Sequence, residues 1–127
     1  MIILDTHILL WLSSEEYEKI PVQMLSKINL CKKLGISAIS LWEISMLVQK
    51  NRIELPKKPL EWFNSIFANP KIVLLPIIPE IAATSGALDM HGDPADRIIA
   101  ATSIFHKSKL ATIDGKLCEL DFLDVIF

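Results

Sequence analysis

The chain opens with MIILDTHILLWLS (residues 1–13), a short apolar run that ends in an aspartate and leads into apolar residues at helical spacing. Residues 2–5 predict a buried strand, and residues 6–13 predict a short helix. The charge of Asp5 at the end of a buried strand is costly unless it lies at a functional edge of the sheet. This stretch therefore predicts the start of an α/β fold and a functional position at Asp5.

The same alternation of short apolar runs and longer helical stretches continues along the chain. It is typical of a mostly parallel sheet whose strands are joined by crossover helices. No repeat, low-complexity tract or linker interrupts the 127 residues, so we expect a single α/β domain over residues 1–127. Further strands are predicted at 34–39, 72–77, 109–113 and 124–127, and further helices at 21–33, 40–50, 59–68, 79–88 and 94–107.

The composition narrows the classes of function. Hydrophobic residues make up 51% of the chain, so either the core is large for this length or a partner covers apolar surface. A net charge of −2 argues against a generally basic, non-specific nucleic-acid-binding surface. Cys31 and Cys118 show no metal or redox spacing, and no segment fits a signal peptide or a membrane span. We therefore expect a cytoplasmic protein that does not associate with membranes.

Four acidic residues fall at equivalent places in this pattern. Asp5 and Asp114 directly follow predicted strands, whereas Glu43 and Asp96 lie near the starts of predicted helices. In a parallel sheet the carboxyl ends of the strands and the amino ends of the following helices share one edge, where ligand and catalytic sites form. The four acids are therefore predicted to meet in one carboxylate pocket.

Clustered carboxylates predict a bound cation, because crowding raises the pKa of at least one of them. Ligands that are all oxygens suit Mg²⁺ or Mn²⁺ better than Zn²⁺. Such an ion lowers the pKa of bound water and stabilises charge on a phosphoryl oxygen. Hydrolysis of a phosphodiester needs both effects and no side-chain nucleophile, so the acids predict a metal-dependent nuclease.

Three of these acids, Glu43, Asp96 and Asp114, also have a purely structural interpretation when each is taken alone. The pair Ser40 and Glu43 has the spacing of a capping box. Asp93 precedes a proline and is a natural N-cap, and Asp96 could complete a similar box. Asp114 precedes a glycine, as in a turn. It is the joint placement of the acids that favours a functional site.

The sequence resembles the PIN-domain family, and within it the VapC-type toxins of bacterial toxin–antitoxin pairs. The resemblance rests on four segments in the family's order, at residues 4–11, 37–43, 91–102 and 110–114. It implies a three-layer α/β/α domain and endoribonuclease activity that depends on Mg²⁺ or Mn²⁺. By motif position it assigns the catalytic and metal-binding roles to Asp5, Glu43, Asp96 and Asp114.

The resemblance also implies partners. These are an RNA substrate, a cognate antitoxin and a second copy of the chain in a homodimer. Binding to DNA is expected only through the antitoxin, because the chain has no recognisable DNA-reading motif.

Several residues beside the acids are predicted to support them rather than to bind metal. Thr6 and Thr112 carry hydroxyls that can orient carboxylates or water, and Asp93 is expected to act as an N-cap. His91 is expected to position or pack other groups. Arg97 is expected to pair with an acid or to reach a phosphate, with the ion pair favoured.

Two other functions remain open at this point. An aspartyl-phosphate phosphatase usually has a second aspartate two residues after the first, but His7 stands there. A non-catalytic interaction domain, of receiver or degenerate nuclease type, fits poorly with the intact set of acids. An assay for metal-dependent nuclease activity separates this last alternative from the enzyme.

Overall fold

A computed structural model of the protein describes residues 1–126. Its strands form one five-stranded sheet in the order β3-β2-β1-β4-β5, and every neighbouring pair is parallel. The central strand β1 lies between β2 and β4, so the carboxyl ends of these three strands are adjacent. The strands are β1 (Ile2–Leu4), β2 (Leu34–Ser37), β3 (Ile72–Leu75), β4 (Lys109–Ala111) and β5 (Val125–Ile126).

Helices connect the strands, and a short 3₁₀ turn at Tyr17–Lys19 follows the first of them. Within residues 1–126, no helix is both long and apolar enough to cross a membrane. The helices are α1 (Thr6–Ser13), α2 (Val22–Leu30), α3 (Ala38–Gln49), α4 (Pro59–Phe67), α5 (Pro79–Ala87), α6 (Pro94–His106) and α7 (Gly115–Cys118).

Two hydrophobic clusters cover the two faces of the sheet. Successive side chains of a strand point to opposite faces, and accordingly Ile2 and Leu4 join one cluster while Ile3 joins the other. The first cluster contains buried side chains from α1 to α4, and the second contains side chains of α6 and α7. The prediction of an α/β/α arrangement is confirmed, and the sheet is wholly parallel over the described residues.

The predicted elements are present, but several boundaries differ. β2 ends at Ser37, whose hydroxyl accepts a hydrogen bond from the Ile39 amide at 3.3 Å and caps α3. The alternative interpretation of Ser40 and Glu43 as a capping box is therefore wrong, because Ser40 lies inside the helix and is fully buried. β3 stops before Pro76, which has no N–H to donate to the sheet.

Other differences lie at the ends of helices and in short elements. α2 begins after Pro21 and ends at Leu30, three residues earlier than predicted, because Cys31 already has an extended backbone. The 3₁₀ turn and α7 were not predicted, since elements of three or four residues show no periodicity. The predicted last strand is present at Val125–Ile126, and position 127 lies outside the described residues.

Candidate active site

A cavity of about 390 Å³ opens at the carboxyl edge of the sheet. All four predicted acids line it, although they come from two different strand ends and from two different helices. The structure therefore brings together the residues that the sequence predicted to meet. The lining side chains are Asp5, His7, Trp11, Glu43, Asp93, Asp96, Ile113 and Asp114.

Asp5 is the most deeply held of these acids, with 8% of its surface exposed. It caps α1, and its Oδ1 accepts a hydrogen bond from the Thr6 amide at 2.8 Å. Its Oδ2 accepts a hydrogen bond from the Thr112 hydroxyl at 2.6 Å. Burial raises the pKa of Asp5, and the hydrogen bonds from Thr112 and Thr6 only partly oppose that shift. The predicted contact between Thr112 and a carboxylate is thus present.

The same Thr112 hydroxyl links two acids. Its oxygen also accepts a hydrogen bond from the Asp114 amide at 3.1 Å. Asp114 in turn caps α7, because its Oδ1 accepts from the Leu117 amide at 3.1 Å. Asp114 is therefore an N-cap rather than a simple turn residue, and this interaction fixes its carboxylate at the mouth of the cavity.

Glu43 lies in the second turn of α3 and is partly buried. Burial raises the pKa of Glu43, and the negative charges of Asp5, Asp96 and Asp93 raise it further, while the Thr6 hydroxyl partly opposes the shift. The carboxylates therefore resist simultaneous ionisation when nothing positive lies between them.

A buried hydroxyl pair lies beneath this cluster. The Thr6 hydroxyl donates to Ser40 Oγ at 3.0 Å, and both side chains are fully buried. This contact joins the first turns of α1, which Asp5 caps, and of α3, which carries Glu43. Ser40 was not predicted as a site residue, because its spacing to Glu43 suggested a cap instead.

Asp96 lies in the first turn of α6, three residues after the predicted N-cap Asp93. Asp93 Oδ1 accepts a hydrogen bond from the Asp96 amide at 3.0 Å, so the prediction of Asp93 as the cap is confirmed. His91 Nε2 lies 2.8 Å from Asp96 Oδ2. Burial raises the pKa of Asp96, the contact with His91 opposes this shift, and nearby aspartates add to it.

Arg97 differs from its prediction. Its guanidinium donates hydrogen bonds to the backbone carbonyls of Ser85 at 2.8 Å, Leu88 at 3.0 Å and Met90 at 2.9 Å. The favoured ion pair is therefore wrong: the side chain turns away from the acids and binds the segment that leads into α6.

His7 and Trp11 form one wall of the cavity. Their ring centroids lie 5.9 Å apart with tilted planes, so the imidazole of His7 packs against the indole of Trp11. Both rings also line a neighbouring, more apolar cavity of about 460 Å³ between α1 and α4. The side chains of His7 and Trp11 thus lie between the acid cavity and the more apolar cavity.

Within residues 1–126, no three Asp, Glu, His or Cys side chains stand close enough together to form a ready-made metal site. The donor set nevertheless fits a hard divalent cation, because four carboxylates face one cavity. Burial raises the pKa of three of them, Asp5, Glu43 and Asp96, and the negative charges of neighbouring carboxylates raise it further. A cation among them would relieve that repulsion.

Comparison with known proteins places this arrangement in a family. The sequence-family model of the PIN domain matches residues 2–123 of the chain. The chain belongs to the PIN-domain family. This PIN domain is 35% identical over 118 residues to ribonuclease VapC22 of Mycobacterium tuberculosis, which covers 91% of this chain and 88% of the relative.

Solved structures share the fold at lower identity. VapBC2 from Rickettsia felis, bound to a DNA fragment from its promoter, superimposes with a TM-score of 0.71 at 19% identity, covering 99% of this PIN domain and 98% of the other chain. FitAcB from Neisseria gonorrhoeae superimposes with a TM-score of 0.67 at 22% identity, covering 100% and 97%. The resemblance seen in the sequence is confirmed.

Proposed function

We propose that this PIN domain is an endoribonuclease that depends on Mg²⁺ or Mn²⁺ and hydrolyses RNA phosphodiester bonds. The observation that carries the proposal is the single cavity lined by all four acids. The relative that is 35% identical is itself a ribonuclease. The residues proposed as metal ligands and catalytic groups are Asp5, Glu43, Asp96 and Asp114.

Groups beside the cavity hold two of the carboxylates, those of Asp5 and Asp96, in place before substrate arrives. Thr112 and the Thr6 amide fix both oxygens of Asp5, and His91 holds one oxygen of Asp96. A divalent cation supplies a water of lowered pKa and stabilises negative charge on the phosphoryl oxygens. Because the carboxylates leave the site strongly negative, we expect RNA to be cleaved only when the metal is present.

Chelation and one isosteric substitution test the activity. RNA cleavage by the purified chain should be lost in EDTA and return when Mg²⁺ or Mn²⁺ is added in excess. Asp5→Asn should abolish cleavage while the circular dichroism spectrum stays that of the wild type. Asp121→Asn, at an exposed acid that does not line the cavity, is the matched control and should cleave normally. Cleavage that persists in EDTA, or an active Asp5→Asn variant, would contradict the mechanism and favour a non-catalytic interaction domain.

We further propose that the protein is the toxin of a toxin–antitoxin pair and acts in the cytoplasm as a homodimer. Structures of the same fold are toxin–antitoxin complexes, some of them bound to DNA. Large apolar side chains are exposed here, among them Leu60 at 70%, Trp42 at 54% and Phe105 at 45%, as expected of surfaces that partners cover. The free thiols of Cys31 and Cys118 agree with a reducing compartment.

Expression and size measurements test these partners. Expression of the chain alone should inhibit growth, and Asp5→Asn or co-expression of a peptide encoded beside it should relieve the inhibition. Light scattering should give twice the mass of one chain. A gel shift with promoter DNA should require the antitoxin. A strictly monomeric chain that is harmless to its host and binds no neighbour-encoded peptide would contradict this part of the proposal.

A further inference from the structure

The segment that leads into α6 is tied down by one side chain. Residues 88–93, which we name the His91 loop, join α5 to α6 and carry His91 and the N-cap Asp93. The Arg97 guanidinium donates to the carbonyls of Leu88 and Met90 within this loop, at 3.0 and 2.9 Å, and to Ser85 in the last turn of α5 at 2.8 Å.

This contact depends on the shape of arginine. Two nitrogens of one planar fork reach three carbonyl oxygens, an arrangement that a single ammonium group does not reproduce. Two of the carbonyls belong to the C-terminal end of α5, where the helix dipole favours a positive charge. The Arg97 guanidinium therefore binds backbone carbonyls rather than a carboxylate.

The loop connects Arg97 to the proposed metal site. Met90, which accepts from Arg97, is followed directly by His91, whose Nε2 lies 2.8 Å from Asp96 Oδ2. Asp96 in turn precedes Arg97 in the first turns of α6. These contacts connect Arg97 through the loop to His91, and His91 to Asp96, the residue next to Arg97 in the chain. The contact with His91 engages one carboxylate oxygen of Asp96 and leaves the other available to a ligand.

We propose that Arg97 is a positioning residue for the metal site: it fixes the His91 loop so that His91 orients the carboxylate of Asp96. The inference rests on the proposed metal-dependent function. Hydrogen-bond partners that orient metal-binding groups are typically worth about 10- to 100-fold in metal affinity. Loss of the arginine fork should therefore weaken metal binding even though Arg97 touches neither metal nor substrate.

The test measures binding of Mn²⁺ alone to the purified full chain, by electron paramagnetic resonance of the free ion. Arg97→Ala and His91→Ala should each weaken Mn²⁺ binding by about 10- to 100-fold. The double variant, with both Arg97→Ala and His91→Ala, should bind Mn²⁺ with about the same affinity as the single variant of lower affinity, because both substitutions break the same link. Arg97→Lys keeps the charge but loses the fork, so it should remain several-fold weaker than the wild type.

Lys71→Ala is the matched control for general destabilisation. The Lys71 ammonium also bonds backbone carbonyls at a helix end, those of Ile28 at 2.9 Å and Asn29 at 3.2 Å, but it lies away from the acid cavity. Its loss should lower the melting temperature without changing Mn²⁺ affinity. Guanidinium at low millimolar concentration should partly restore Mn²⁺ binding to Arg97→Ala, and methylammonium should not.

The outcomes separate the two proposals. If the wild type binds Mn²⁺ and Arg97→Ala binds it within two-fold, the positioning role is refuted and the proposed function stands. If the losses of Mn²⁺ affinity in the two single variants add up in the double variant, the positioning role is also refuted, because Arg97 then does not act through His91. If the wild type binds no Mn²⁺, the proposed function fails and this inference fails with it. Should Arg97→Ala not fold, Arg97→Lys carries the same test, and wild-type affinity in that variant refutes the role.

Discussion

The acid cavity has two halves that are held in different ways. In the half at the sheet, Asp5 is 8% exposed and takes hydrogen bonds from the Thr6 amide and the Thr112 hydroxyl, both of which are buried. In the half at the start of α6, Asp96 is only partly buried, and its carboxylate is held by His91 on a connecting loop. The first half is built on the core, whereas the second depends on a surface segment.

This difference has a physical consequence. A buried polar group that loses its partner costs stability as well as position, whereas an exposed one can turn to water. Damage to the sheet half should therefore reduce stability and activity together. Damage to the helix half should reduce activity with little change in stability. The following predictions test whether the two halves are separable in this way.

The largest combined loss of stability and activity is expected from Thr112→Val, which keeps the shape of the side chain and removes its hydroxyl. Both Asp5 Oδ2 and the Asp114 amide lose a partner in a buried place. Cleavage should fall by about 10- to 100-fold, and the free energy of unfolding should fall by about 1–3 kcal/mol. Thermal melting and cleavage rates on the same preparation measure both quantities.

His91→Ala is the counterpart in the helix half. It should reduce cleavage by a similar factor while leaving the melting temperature nearly unchanged. Thr112→Ser, which restores the hydroxyl, should recover most of the stability and activity. A stable Thr112→Val protein beside an unstable His91→Ala protein would reverse the assignment of the two halves.

Glu43 tests the repulsion that both halves share. Because burial and the neighbouring carboxylates raise its pKa above the ordinary value of 4.5, the folded protein holds the proton more tightly than the unfolded chain. The contribution of this group to stability is thus fully present below pH 4.5 and is lost as the pH rises through the raised pKa. In EDTA at pH 7, Glu43→Gln should therefore melt at a higher temperature than the wild type.

The difference should vanish when melting is repeated below pH 4.5, where both side chains are neutral. It should change sign in saturating Mn²⁺, because a charged Glu43 then gains a partner. Glu54→Gln, at an exposed glutamate, should show no such dependence. A wild type that is more stable than Glu43→Gln in EDTA at neutral pH would show that the carboxylates do not repel one another.

The sequence predicted that the four acids share one edge because topology fixes their placement: a parallel sheet brings the ends of β1 and β4 and the starts of α3 and α6 to one edge. The sequence did not decide which residue caps α3, because two serines suit that position equally well. Ser37 and Ser40 both suit an N-cap, and only the buried contact of Ser40 with Thr6 decides between them. It also failed for Arg97, because the carbonyls that Arg97 binds belong to the backbone and carry no residue signature.

The smallest combined loss of stability and activity is expected at two acids that lie three positions apart, because each substitution should affect mainly one of the two properties. Asp93 is the N-cap of α6, so its carboxylate is engaged by the Asp96 amide, although its charge also raises the pKa of Asp96 and Glu43. Asp93→Ala should cost about 1 kcal/mol of stability through the lost cap and should retain part of the cleavage activity. Asp93→Ser removes the charge but keeps a capping oxygen, so it should melt close to the wild type and also cleave RNA. Asp96→Asn should show the opposite pattern, with near-normal melting and no metal-dependent cleavage.

A stable but inactive Asp93→Ser protein, beside an active Asp96→Asn protein, would move the catalytic role from Asp96 to Asp93. In that case the helix half of the cavity would be organised around the cap itself rather than around the carboxylate held by His91.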